Sequence, residues 1–277
     1  MNLHHVLHAA SRGARIENIT AFDFSPAEQR TWDSAIEVYK GGYAHKDLLF
    51  DREMERIKIE IGRANGNLTA ARIPEDIRKA LEQSAPIYRE RLWEAADSSN
   101  RAWIEAEVRN VTQLAPAETP KLALLFGTPW PTSPVRVDAV RVANRQGAYT
   151  SLSPSWIVVS TGDPNNQGWT GAEILFHESS HLLVRPISSA IDKAAKESSV
   201  QVRNDLWHVV LFYIVGEVTR RALSGHGVTY EPYLYKTGLF DRAWPRLKKP
   251  IETVLPAYID GTFSLDETAK RLVAALN

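Results

Sequence analysis

Residues 174–184 read ILFHESSHLLV, which sets two histidines and a glutamate inside a run that is otherwise apolar or small. Such a stretch belongs in an interior, so the fold around it must compensate three polar side chains withdrawn from water. On a helix His177 and His181, at i and i+4, share one face about one turn apart, and Glu178 is turned about 100° from His177. The loop TGDPNNQGW comes just before, and Thr170 with Glu173 has the spacing of a capping box, which predicts a helix start there. Arg185-Pro186 is expected to end that helix.

The first third carries apolar positions at helical spacing in AEQRTWDSAIEVYKGG, in DLLFDREMERIKIEIGRA and in a long segment from PEDIRK to NVTQL, where Pro86 is expected to kink or divide the helix. Charges are dense on the outward faces of these helices, and none has ligand spacing. After APAETP the period changes. Residues 121–160 hold Val, Ile, Tyr and Thr in short runs broken by Pro, Gly and Asn, which predicts three or four strands, with VRVDAVRV alternating and a turn near residues 144–147. Helix returns at about Gly171 and continues to SLDETAKRLVAAL, opened by a capping box of Ser264 with Glu267. The expected class is α+β, mostly helical, with a small β-sheet preceding the histidine helix.

Composition narrows the chemistry. The 277 residues are 44% hydrophobic, enough for a sizeable core. Lys+Arg and Asp+Glu both number 33, so no net field recruits nucleic acid or an anionic membrane surface. There is no cysteine, which removes disulfides, thiolate metal sites and cysteine nucleophiles together, so any metal must sit on histidine and carboxylate. No stretch approaches the roughly 20 apolar residues of a membrane span, and MNLHHVLHAASRGAR has no signal-peptide core. A soluble chain is expected. Lack of cysteine suits an exported bacterial protein trimmed of its leader as well as a cytoplasmic one, and compartment and oligomeric state stay open.

Paired imidazoles on one helical face, with a carboxylate offset from them, match what catalytic zinc requires: neutral nitrogen ligands, a third protein ligand, an open position for water, and a base beside that water. Two residues of the downstream helix NDLWHVVLFYIVGEVTRRAL are candidates for the third ligand, His208 and Glu217. They are half a turn out of phase, so at most one can face the metal. The face of His208 also carries Phe212, Val215, Gly216 and Thr219, and the small residues would admit close approach to the motif helix. Glu217 shares its edge with Arg220 and Arg221, the pattern of an exposed ion pair. The segment SGHGVTYEPYLYKTG then offers His226, Tyr230, Tyr233 and Tyr235 as donors to a developing oxyanion, with Tyr233 favoured because a proline precedes it.

HESSH on a helix that follows a small sheet resembles the zincin superfamily of zinc metallopeptidases, over about residues 134–240. The longer glycine-containing motif of the metzincin branch is absent. The resemblance implies that His177 and His181 bind Zn2+, that Glu178 is the general base, and that a sheet edge strand, for which GAYTSLS at 147–153 is the candidate, holds a peptide or protein substrate extended. Helical spacing in the first third gives an expected helical N-terminal region, 1–118, packed on a zincin-like catalytic domain, 119–277. A downstream glutamate is the gluzincin habit and favours Glu217, whereas helix phase favours His208. A zinc hydrolase acting on a non-peptide substrate and a zinc-binding regulatory protein without turnover remain the alternatives.

Overall fold

The computed structural model describes residues 1–14, 24–143, 145 and 147–276. In chain order the elements are α1 (Asn2–Ser11), α2 (Pro26–Gly42), α3 (Arg52–Ala64), α4 (Glu75–Tyr88), α5 (Glu94–Phe126), β1 (Arg136–Val140), β2 (Ala148–Leu152), β3 (Ser155–Ser160), α6 (Trp169–Ser180), α7 (Arg185–Glu197), α8 (Leu206–Gly225), α9 (Tyr233–Lys236), α10 (Leu239–Ala243), α11 (Pro245–Ile259) and α12 (Leu265–Ala274). The chain is mostly helical, with a three-stranded mixed sheet ahead of the helix that carries His177, as the α+β expectation has it. No helix among the described residues is long and apolar enough to cross a membrane.

Several boundaries differ from those expected. The helix through NVTQL does not stop at APAETP; α5 continues past Pro116 and Pro120 to Phe126. Each proline costs about 3 kcal/mol in a helix interior. Leu114, Leu122, Leu125 and Phe126 are buried on this stretch, and at about 1.5–3 kcal/mol each their burial offsets the loss. The strands therefore begin at Arg136 and number three. The expected turn at 144–147 includes Asn144 and Gln146, which lie outside the described residues. Pro86 lies inside α4, and the divide follows it as a π-helical turn at Arg89–Trp93. Ser264 does cap α12, accepting from the Glu267 amide, but Glu267 turns its carboxylate to Arg271.

The described chain forms two compact units, one of Met1–Glu105 with Arg136–Asn166 and one of Ala106–Val135 with Gln167–Asn277. In the first, β3 is central, parallel to β1 and antiparallel to β2. The strand put forward for substrate, β2, is thus an edge strand of this unit, buried from Ala148 to Ser151. Trp156, Ile157 and Val158 of β3 are buried, as are Leu7, Trp32, Tyr39 and Ile57 of the helices. The three histidines of α1 are structural here. His4 and His5 bond the hydroxyls of Tyr39 and Tyr149, each at 2.7 Å, and His8 bonds the Lys46 carbonyl at 3.1 Å. Lys58 is fully buried, donates to the Ser151 hydroxyl and lies over the Tyr149 ring, and burial pulls its amine down to about 8.

Close contact of α3 with the sheet depends on Gly62. A Cβ there would meet the Trp156 ring at 1.9 Å, and the Arg136 guanidinium also lies over this ring, 3.8 Å from its centre. Gly62→Ala is expected to destabilise the protein by about 1–3 kcal/mol through overpacking, read as a lowered urea midpoint. An unchanged midpoint would show that Trp156 has room to move.

Candidate metal centre

The motif helix α6 starts differently from the sequence expectation. Its N-cap is Gly168, at φ 59° and ψ −138°, a conformation that side chains with a Cβ rarely adopt. Thr170 then falls inside the first turn and donates to the Gln167 carbonyl at 2.7 Å, so no capping box forms. Glu173 is buried instead, where it accepts from the Tyr230 hydroxyl at 2.5 Å and from the Tyr233 amide at 2.9 Å. Burial pushes its carboxyl up to about 7 against the pull of those two donors. Nor does Arg185-Pro186 end the helix. The last regular residue is Ser180, the chain tightens through i→i−3 bonds at 181–183, and Pro186 sits in the first turn of α7, where its missing N–H costs nothing.

His177 and His181 nevertheless share a face, with ring centres 4.9 Å apart and planes nearly perpendicular. Against them α8 brings His208, whose Nε2 lies 3.2 Å from Nε2 of His177. One nitrogen of each of the three rings lies within 4.8 Å of the others, and this is the one such group of metal-binding side chains among the described residues. The donor set could hold a metal ion, and its spacing can be compared with that of zinc. With Zn–N of about 2.0–2.1 Å, two ligands of a tetrahedral ion are separated by about 3.3 Å, close to the His177–His208 distance. Nδ1 of His177 is buried without a hydrogen-bond partner, which leaves this ring under-compensated by protein groups alone.

Burial holds all three rings neutral. His177 is driven well below the usual imidazole range by desolvation and by its two neighbours, His181 falls to about 3, and His208 to about 4 despite Asp205. The apolar enclosure has named parts. Phe212 stacks on His177 at 3.7 Å, Trp207 meets the edge of His181 at 5.7 Å, and Trp244 meets His208 at 5.9 Å. Phe212 follows His208 by four residues, a spacing legible in the sequence. The contacts from Trp244 and Glu173 had no local signal.

Glu178 is buried, its carboxylate 3.9 Å from Nε2 of His181. Glu217 is engaged elsewhere: Arg220 grips it with two bonds of 2.7 Å, and Arg221 adds a third of 2.6 Å. Glu197 pairs with Lys270, and His226 caps the end of α8 in an exposed position. Of the loop tyrosines, Tyr230 gives its hydroxyl to Glu173 and Tyr235 to Glu252, while Tyr233 opens α9 with its ring stacked on Phe212. Gly216 lets α8 pass close to α6, since a Cβ there would lie 2.9 Å from the Glu173 carboxylate and 2.8 Å from Pro232.

Comparison with protein families, with curated proteins and with solved structures finds no match for this chain.

The depressed values predict the charge state of the metal-free centre. At pH 5 His181 and His208 lie above their folded values of about 3 and about 4, so both rings are expected to be neutral. Long-range 1H–15N correlation spectra of the imidazoles measure this directly. Charged rings at pH 5 would mean that water reaches the cluster.

Proposed function

We propose that this chain is a zinc-dependent hydrolase of peptide bonds, with His177, His181 and His208 as ligands of one Zn2+ and Glu178 as general base. The observation that carries the reading is the arrival of His208, from a separate helix, at 3.2 Å from a motif histidine while Glu178 stays buried beside the other. Three histidines with no carboxylate among them form a neutral ligand set, which leaves the charge of the ion to act on water and on a substrate carbonyl.

The residues of the chain then have distinct tasks. The Glu178 carboxylate, offset from His177 along the helix, accepts a proton from the attacking water and passes it to the leaving amine. Its burial favours proton transfer over solvation. Tyr233 is the proposed donor to the carbonyl oxygen as negative charge develops there. Its ring stacks on Phe212, which in turn stacks on His177. Glu217, held by two arginines, has no part in binding the ion in this reading.

Purified protein is expected to carry about one zinc per chain by elemental analysis. His208→Ala should release the metal to a chelator, since two imidazoles are too few for a stable tetrahedral site, and Glu217→Ala should retain it. Glu178→Gln should keep the zinc and lose peptide hydrolysis by at least about a hundredfold. Metal loss in Glu217→Ala alone would transfer the third ligand to that residue. Full activity in Glu178→Gln would end the hydrolase reading and leave a zinc-binding protein without turnover.

A further inference from the structure

Within the unit that holds the histidines lies a cleft of about 230 Å³ whose walls are Phe212, Tyr213, Pro232, Leu234 and Tyr235, with the Glu217–Arg220 pair completing the lining. Phe212 belongs to both places: it lines the cleft and stacks on His177 at 3.7 Å. The cleft is therefore one ring thickness from the metal centre. Its far wall is fixed to the motif helix, because Glu173 of α6 holds Tyr230 and the amide of Tyr233, and Gly216 gives Pro232 and Glu173 room against α8. A wall anchored in this way keeps a defined distance from His177.

Size and charge indicate the occupant. An apolar cavity of about 150 Å³ accepts benzene, so 230 Å³ has room for a phenyl or branched aliphatic side chain. The two charged residues add no net field, since Glu217 is satisfied by Arg220 and Arg221, and Arg221 also pairs with Asp260. A charged side chain entering here would give up its hydration and find the charges already neutralised by each other. We infer that the cleft receives a large uncharged side chain, aromatic or aliphatic, of the peptide whose backbone meets the histidines. This deepens the hydrolase reading and rests on it for the identity of the ligand as a peptide.

The test uses N-acetyl-L-phenylalaninamide, N-acetylglycinamide and the N-acetyl amides of glutamate and lysine, with binding to metal-free and zinc-loaded protein followed by saturation-transfer NMR. The phenylalanine amide should bind both forms at least about tenfold more tightly than the glycine amide, and more tightly than either charged amide. Tyr213→Ala and Tyr235→Ala, both at half-buried positions, should reduce that preference several-fold and leave zinc content unchanged. Glu217→Gln removes the charge that balances the arginines and should shift preference toward the glutamate amide. Equal binding of the phenylalanine and glycine amides, tighter binding of a charged amide by wild type, or a preference untouched by all three variants overturns the inference. The two readings fail separately: phenyl preference in protein that binds no zinc removes the hydrolase and keeps the cleft, whereas zinc-dependent hydrolysis with no phenyl preference removes the cleft alone.

Discussion

Three imidazoles, one buried and two half-buried, with ring nitrogens within 4.8 Å of one another set the terms for the unit that holds them. Neutral histidines side by side satisfy each other poorly: the His177–His208 contact allows one hydrogen bond, and Nδ1 of His177 has none. Desolvating such groups costs on the order of 1–3 kcal/mol each when they are left unpaired. A shared cation would resolve the conflict, because it would turn the lone pairs that repel one another into ligands of a single charge. Phe212, Trp207 and Trp244 supply an aromatic surround to the three rings.

The same constraint reaches outward through Glu173. One turn before His177, it has the spacing of a local cap with Thr170; instead it anchors the segment that carries Tyr230 and Tyr233. Its carboxyl sits near another buried acid, Glu118, which bonds Thr219 at 3.1 Å and is pushed up to about 8 by burial. These groups are held by hydroxyls and an amide, with no lysine or arginine in direct contact among the bonds they make. The motif helix is thus positioned by its buried polar side chains as well as by the apolar residues around them, and a change at Gly216 or Glu173 would act on the metal centre through geometry.

The two histidine groups of the chain show why residue type alone does not define a metal site. His4, His5 and His8 are as buried as the motif histidines, yet each bonds its own tyrosine or carbonyl partner. Their successive positions on one short helix direct them to different neighbours. His177, His181 and His208 come from two helices onto one point.

Much of the fold was legible in the sequence: the helices of the first third, the presence of a small sheet, and the pairing of His177 with His181 on one face all follow from period and apolar content, which are local. Helix phase also indicated that His208 and the small Gly216 lie on one side of α8, since 3.6 residues per turn suffices to place them. Other features were decided only by tertiary packing. The passage of α5 through two prolines depends on the burial of Leu114, Leu122 and Phe126, which no local propensity records. The diversion of Glu173 from cap to anchor depends on Tyr230 and Tyr233, nearly 60 residues away. The sequence by itself determined that His177 and His181 share one helical face and that His208 and Glu217 lie on opposite sides of the next helix; only the tertiary structure decided which faces meet, because long-range burial outweighs any single local preference by several kcal/mol.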